Sequence, residues 1–150
     1  MTNICIFLLL ATIATVPLVS AETYSHSAAA TRLRNAGISI HSSGGCSNKY
    51  NKQCTSLDGI HKEAIDGVIT LKRASGCPIV VTGGTEDGHG RGGGRSHWMG
   101  WKLDIRKRGD DCITQYIKRN FKSIGGSKWR AASGNIYYDE NNHWDIQYNS

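Results

Sequence analysis

Apolar residues first gather at the N-terminus, where Ile4 to Val16 is almost wholly apolar and runs into Pro17-Leu18-Val19-Ser20-Ala21. A membrane span needs about 20 apolar residues. The shorter run therefore reads as a signal peptide over residues 1–21, with Val19 and Ala21 suiting cleavage before Glu22; an uncleaved anchor is the alternative. Residues 22–150 then form one domain. Within it, Ala28 to Ala36 is helix-forming and stops at Gly37, and Ser42 to Thr55 is a polar loop. From Ser56, a candidate N-cap, the residues Leu57, Ile60, Ala64, Ile65, Val68, Ile69 and Leu71 recur at helical spacing until Gly76. This predicts a helix. Pro78 to Thr82 reads as a short buried strand before Gly83-Gly84. In Trp101 to Ile105, Trp101, Leu103 and Ile105 take one side and Lys102 and Asp104 the other, which predicts a second strand. Asp111 to Phe121 reads as a helix with Ile113, Tyr116 and Ile117 inward. Asn135 to Glu140 and His143 to Tyr148 read as strands joined by Asn141-Asn142, because Asn tolerates the positive φ that a two-residue turn requires. The predicted class is α+β, an antiparallel sheet with helices packed on one side.

Composition narrows this picture. The chain has 150 residues with 39% hydrophobic and 8% aromatic, enough to bury a core, which excludes wholesale disorder. Its 18 Gly show no triplet period and Pro occurs only twice, which excludes collagen. Every charged residue lies after Ala21, so the domain carries the whole formal charge of +6 and is drawn to anionic surfaces. Cys5 leaves with the signal peptide, and Cys46, Cys54, Cys77 and Cys112 remain. An even count in an oxidising compartment predicts two disulfides. Of the three possible connectivities, Cys46–Cys54 with Cys77–Cys112 is favoured, since the first closes a polar loop and the second ties a strand start to a helix start. A four-cysteine zinc site fits poorly, because no CxxC pair occurs.

The candidate chemistry sits around the last hairpin. A two-residue loop pairs Glu140 with His143 directly across the ladder, on one face. His143, Asp145 and Gln147 share that face, while Trp144, Ile146 and Tyr148 face the core. Asp104 can point to the same polar face, and Gly100 permits a turn returning His97 toward it. Two imidazoles and a carboxylate form a zinc ligand set with a fourth position for water, and Glu140 is then a second carboxylate free to act as base. His26, His41 and His61 receive no role.

Ser96-His97-Trp98-Met99-Gly100-Trp101-Lys102-Leu103-Asp104-Ile105 resembles the SxHxxGxxxDI motif of the M15 family of zinc peptidases, and Glu140-Asn141-Asn142-His143-Trp144 resembles their ExxH(W) motif. The resemblance covers roughly Ile79 to Tyr148. It implies a fold shared with the hedgehog signalling domain, zinc ligation by His97, Asp104 and His143, and Glu140 as catalytic base. These peptidases carry an Arg in an SGYR-like stretch where this chain reads Thr82-Gly83-Gly84-Thr85. His89, Arg91 or Arg95 from the glycine-rich Gly88–Arg95 loop is left to supply a cation or donor, with His89 first and Arg95 second as transition-state donors.

The resemblance implies a secreted, monomeric zinc-dependent carboxypeptidase or endopeptidase acting on the peptide stem of bacterial peptidoglycan, with neither nucleic acid nor membrane as partner. The RGG-like wording of the loop is compositional and, in a secreted protein, reads as a rim of the site. Two rival expectations are a non-catalytic zinc-stabilised binding or signalling module and a disulfide-stabilised effector without metal.

Overall fold

The computed structural model describes residues 22–149; the signal-peptide reading lies outside the described residues. The elements are β1 (Thr23–Tyr24), α1 (His26–Asn35), β2 (Ser39–Ile40), β3 (Ile60–His61), α2 (Lys62–Ser75), β4 (Val80–Gly83), β5 (Lys102–Arg106), α3 (Cys112–Asn120), β6 (Lys122–Gly125), β7 (Lys128–Arg130), β8 (Ile136–Asp139) and β9 (His143–Gln147). This is an α+β fold. The main sheet has the order β2-β4-β5-β9-β8-β7-β6 and is mixed: β2 runs parallel to β4, and the remaining neighbours are antiparallel. β1 and β3 form a separate two-stranded ribbon.

Side-chain caps open α1 and α3, and a glycine closes α2. The Ser25 hydroxyl accepts from the Ala28 amide to open α1, and the Asp111 carboxylate accepts from the Thr114 amide to open α3. Gly76 closes α2 in the left-handed conformation. The start of α2 corrects the sequence reading, which put its cap at Ser56. Helix begins only at Lys62, because the preceding backbone bonds elsewhere: the Ser56 amide donates to Glu86 Oε2 at 2.7 Å, and the Ser56 carbonyl accepts from the Thr85 amide at 2.7 Å. Leu57 and Ile60 are fully buried all the same. Their helical spacing reflects burial of an irregular segment at Leu57 and of strand β3 at Ile60.

The alternation in β9 is as expected. Trp144, Ile146 and Tyr148 are fully buried. Tyr148 packs flat against Gly67 of α2, leaving no room for a Cβ there, and Trp144 Nε1 donates to Thr114 Oγ1 of α3 at 3.1 Å. Both helices therefore cover this face, and the opposite face carries His143, Asp145 and, from β5, Asp104. Trp101 differs from its expectation: β5 begins one residue later, and the indole is half-buried, stacked on His61 with ring centroids 3.8 Å apart. In α3, Thr114 is buried with Ile113 and Ile117, while Tyr116 is half-buried.

Cys46–Cys54 and Cys77–Cys112 are bonded. The second closes a 35-residue separation and ties the entry to β4 to the start of α3. Chain-entropy reasoning gives it about 4 kcal/mol of stability. Replacing both its cysteines with Ser is expected to lower the denaturant midpoint by the equivalent amount in equilibrium unfolding. The same change at Cys46 and Cys54, separated by 8 residues, is expected to cost about 2.5 kcal/mol.

Candidate metal centre

The centre lies on the helix-free face of β5 and β9. Asp104 and Asp145 are directly opposite each other in the ladder, so two carboxylates meet where like charges repel. Both are buried. Lys102 Nζ reaches Asp145 Oδ2 at 2.8 Å and neutralises that member of the pair. Asp104 has no comparable lysine. A bulge between β4 and β5 brings Gly83 opposite it, and a Cβ on Gly83 would strike the Asp104 carboxylate. The glycine makes room for the acid.

His97 arrives from the turn before β5, where the Gly100 amide donates to its carbonyl at 2.8 Å. Gly100 has φ +80, and a side chain there would run into the Gly59 carbonyl, so this tight turn requires glycine. His97 Nδ1 lies 2.7 Å from the Gly84 carbonyl oxygen, which can only accept, so the proton is on Nδ1 and Nε2 faces the carboxylates. Nε2 is 3.3 Å from Asp104 Oδ1 and 3.8 Å from Asp145 Oδ2. Burial pushes the His97 pKa down, but the Asp104 and Asp145 carboxylates outweigh it and raise the pKa to about 10. For Asp145 burial acts upward and is outweighed by His97 and Lys102, which bring it to about 2. The carboxylate pair therefore favours positive charge beside it.

Asp104 Oδ1 points to where that cation belongs. It is buried and accepts no hydrogen bond, although His97 Nε2 and His143 Nε2 lie 3.3 and 3.8 Å from it. A buried acceptor without a donor is costly, whereas zinc at about 2.0–2.2 Å from each of two tetrahedral ligands separates them by about 3.3–3.5 Å. The donor set and spacing therefore fit a divalent metal. His143 stands at the edge of this cluster, outside the mutually close group of His89, His97 and Asp104, with Nδ1 2.7 Å from Asn142 Oδ1 and Nε2 3.8 Å from Asp104 Oδ1 and 3.1 Å from Glu140 Oε2. A hydrogen-bond acceptor on the far ring nitrogen is the usual arrangement for a ligating histidine.

His89 also enters the cluster. Its Nδ1 is 3.8 Å from Asp104 Oδ2, and its ring stacks on His97 with centroids 4.0 Å apart. Among the described residues, His89, His97 and Asp104 present ligand atoms all within 4.8 Å of one another and can hold a metal ion.

Glu140 is where the hairpin reading places it. Asn141 takes φ 68, the Glu140 amide donates to the His143 carbonyl at 3.0 Å, and Glu140 Oε2 stands 3.1 Å from His143 Nε2. Arg95 reaches the same cleft, with Nη1 donating to the Tyr148 carbonyl at 2.9 Å and its guanidinium over Trp101. The cleft, of about 630 Å³, is lined by His89, His97, Glu140, Arg95, Lys102 and Asp145, among others. A separate hollow of about 610 Å³ on the helix side is lined by Glu63, Thr70, Tyr116, Phe121 and Tyr137 and holds no histidine.

Glu86, which the sequence reading did not single out, also borders the cluster. It is 3% exposed, and His89 Nε2 lies 3.0 Å from its Oε1. The only signal was an acid three residues before a histidine in a glycine-rich segment.

No family model, curated protein or solved structure matches this chain. Its function is read from the side chains themselves.

Proposed function

We propose that this protein is a secreted zinc metallopeptidase of the M15 type that hydrolyses a peptide amide bond in bacterial peptidoglycan. In this reading the fold is hedgehog-like, His97, Asp104 and His143 hold the metal, and Glu140 is the catalytic base. The observation that carries the proposal is the buried, donorless Asp104 Oδ1 between two histidine Nε2 atoms, with a further carboxylate 3.1 Å from one of them.

Bound zinc supplies a water of lowered pKa, near 7, and polarises the scissile carbonyl. The chain does the rest. Gly84 and Asn142 hold the His97 and His143 rings with Nε2 inward. Glu140 takes a proton from the attacking water and hands it to the leaving amine, acting first as general base and then as general acid. Asp145 is a poor substitute, since its carboxylate is already engaged by Lys102 and held at about 2. Arg95 lines the cleft as a cation toward the substrate's acidic groups.

Secretion is supported by the two disulfides. Among the described residues no helix is long and apolar enough to cross a membrane. The substrate rests on the motif resemblance and on the basic charge of +6.

The test is mass spectrometry of peptidoglycan digested with the purified protein, before and after chelation and with Zn²⁺ restored. New free amino termini that vanish on chelation and return with zinc are expected. A protein that binds zinc, loses thermal stability on chelation and releases no peptide from any wall preparation is the non-catalytic module instead. That second reading draws on one specific observation, the presence of His89 beside Asp104.

A further inference from the structure

We infer that His89 is a fourth protein ligand of the metal, oriented by Glu86, and that the loop carrying it gates the cleft. This rests on the metal site proposed above and assigns the regulation of that site. A transition-state donor at position 89 would have to aim an N–H at the substrate. His89 does the reverse. Its Nε2 is 3.0 Å from Glu86 Oε1, a carboxylate that can only accept, so the proton is on Nε2. The nitrogen facing Asp104 is then Nδ1, which offers a lone pair.

Glu86 is built to hold that state. It is buried, and it accepts from the Ser56 amide at 2.7 Å and from the Gly84 amide at 3.1 Å with each oxygen. Those bonds offset the cost of burying a carboxylate and fix its direction. The result is a carboxylate–histidine pair aimed at a metal position, the arrangement that sets ligand tautomer and basicity at zinc sites. Gly84 takes part twice, since its carbonyl fixes His97 while its amide fixes Glu86. Both rings therefore share one anchor.

With His97, Asp104 and His143, His89 brings the donors to four, and a zinc with four protein ligands has no position for water. One ligand must leave for hydrolysis. His89 is the one placed to do so: it lies between Gly88 (φ 108) and Gly90 (φ 76), whereas Asp104 is fixed within β5 and His143 within β9. The same loop is held down by Asp87, which takes both Arg91 nitrogens at 2.7 and 2.9 Å, and by the Arg91 guanidinium over Trp98 at 4.4 Å. Lifting of His89 by a substrate entering the cleft would free that position for water.

The experiment compares wild type, His89→Ala and Glu86→Gln by zinc competition against a chromophoric chelator and by X-ray absorption at the zinc edge. Three imidazoles are expected in wild type and two in His89→Ala. Zinc affinity is expected to fall at least about 10-fold in His89→Ala and by a smaller factor in Glu86→Gln. Two imidazoles in both proteins with unchanged affinity would overturn the proposal and leave the three-ligand site standing. Wild type that takes up no zinc overturns both. His89 sits on a partly exposed loop, so its truncation leaves the core intact, and Glu86→Gln keeps the shape of the buried side chain.

Discussion

Glu140→Gln is expected to lower peptide release by about 100- to 10,000-fold, the usual worth of a positioned general base, while the protein keeps one zinc. The substitution is clean because Glu140 contributes little to the fold. Its backbone forms the hairpin turn, through the Glu140 amide to the His143 carbonyl and the Asn142 amide to the Glu140 carbonyl, and Gln preserves both bonds. The side chain is 37% exposed, so its ion pair with His143 is worth at most about 1 kcal/mol. What Gln removes is the capacity to accept and return a proton. The measurement is turnover on purified muropeptides alongside zinc content and melting temperature. A variant that retains zinc and turns over at the wild-type rate reduces Glu140 to an orienting partner of His143. In that event the cleft has no ready replacement, since Asp145 is held at about 2 and is bonded to Lys102.

The parts of this site that were legible in the sequence are those fixed by short-range geometry. A two-residue Asn141-Asn142 turn determines which residues face each other, and the alternation in β9 separates Trp144, Ile146 and Tyr148 from His143 and Asp145. Asp104 follows by the same period in β5. The less legible parts depend on contacts between distant segments. Nothing local announces that Glu86 bonds the Ser56 amide 30 residues away, or that this contact keeps the Ser56–Gly59 segment out of α2. Burial of Leu57 in an irregular segment and of Ile60 in β3 imitated a helical face because non-helical backbone can present apolar groups at helical spacing when it packs into the core. The β6–β7 hairpin was passed over for the opposite reason. All four residues of β6 are exposed, and its turn relies on Gly125, Gly126 and Ser127 at positive φ, so no apolar alternation marks it. The parallel β2–β4 pair was missed because two residues are too few to show a period.

Asp104→Asn is expected to weaken zinc binding at least about 100-fold, beyond the 10- to 100-fold typical of residues that only orient a ligand. The carboxamide fills the same space beside Gly83, so the bulge and the β5–β9 ladder persist and the loss is one of charge and ligand strength. Zinc at about 1,000 times its dissociation constant stabilises the wild-type fold by about 4 kcal/mol, a rise in melting temperature of roughly 15 °C for a domain of this size. That rise is expected to fall to about a third or less in the variant at the same zinc concentration, as read by calorimetry with and without the metal. Asp145→Asn is the matched control. Asp145 faces Asp104 across the ladder and lies 3.8 Å from His97 Nε2, but its carboxylate already has Lys102 Nζ at 2.8 Å, so its charge is not waiting for a metal. The metal-dependent rise should therefore survive that change in large part. The reverse outcome, with zinc stabilisation surviving Asp104→Asn and lost in Asp145→Asn, would move the ion to the other carboxylate. It would also carry the ion away from the oxygen His143 approaches at 3.8 Å, and Glu140, paired to His143, would lose its place beside the reacting water.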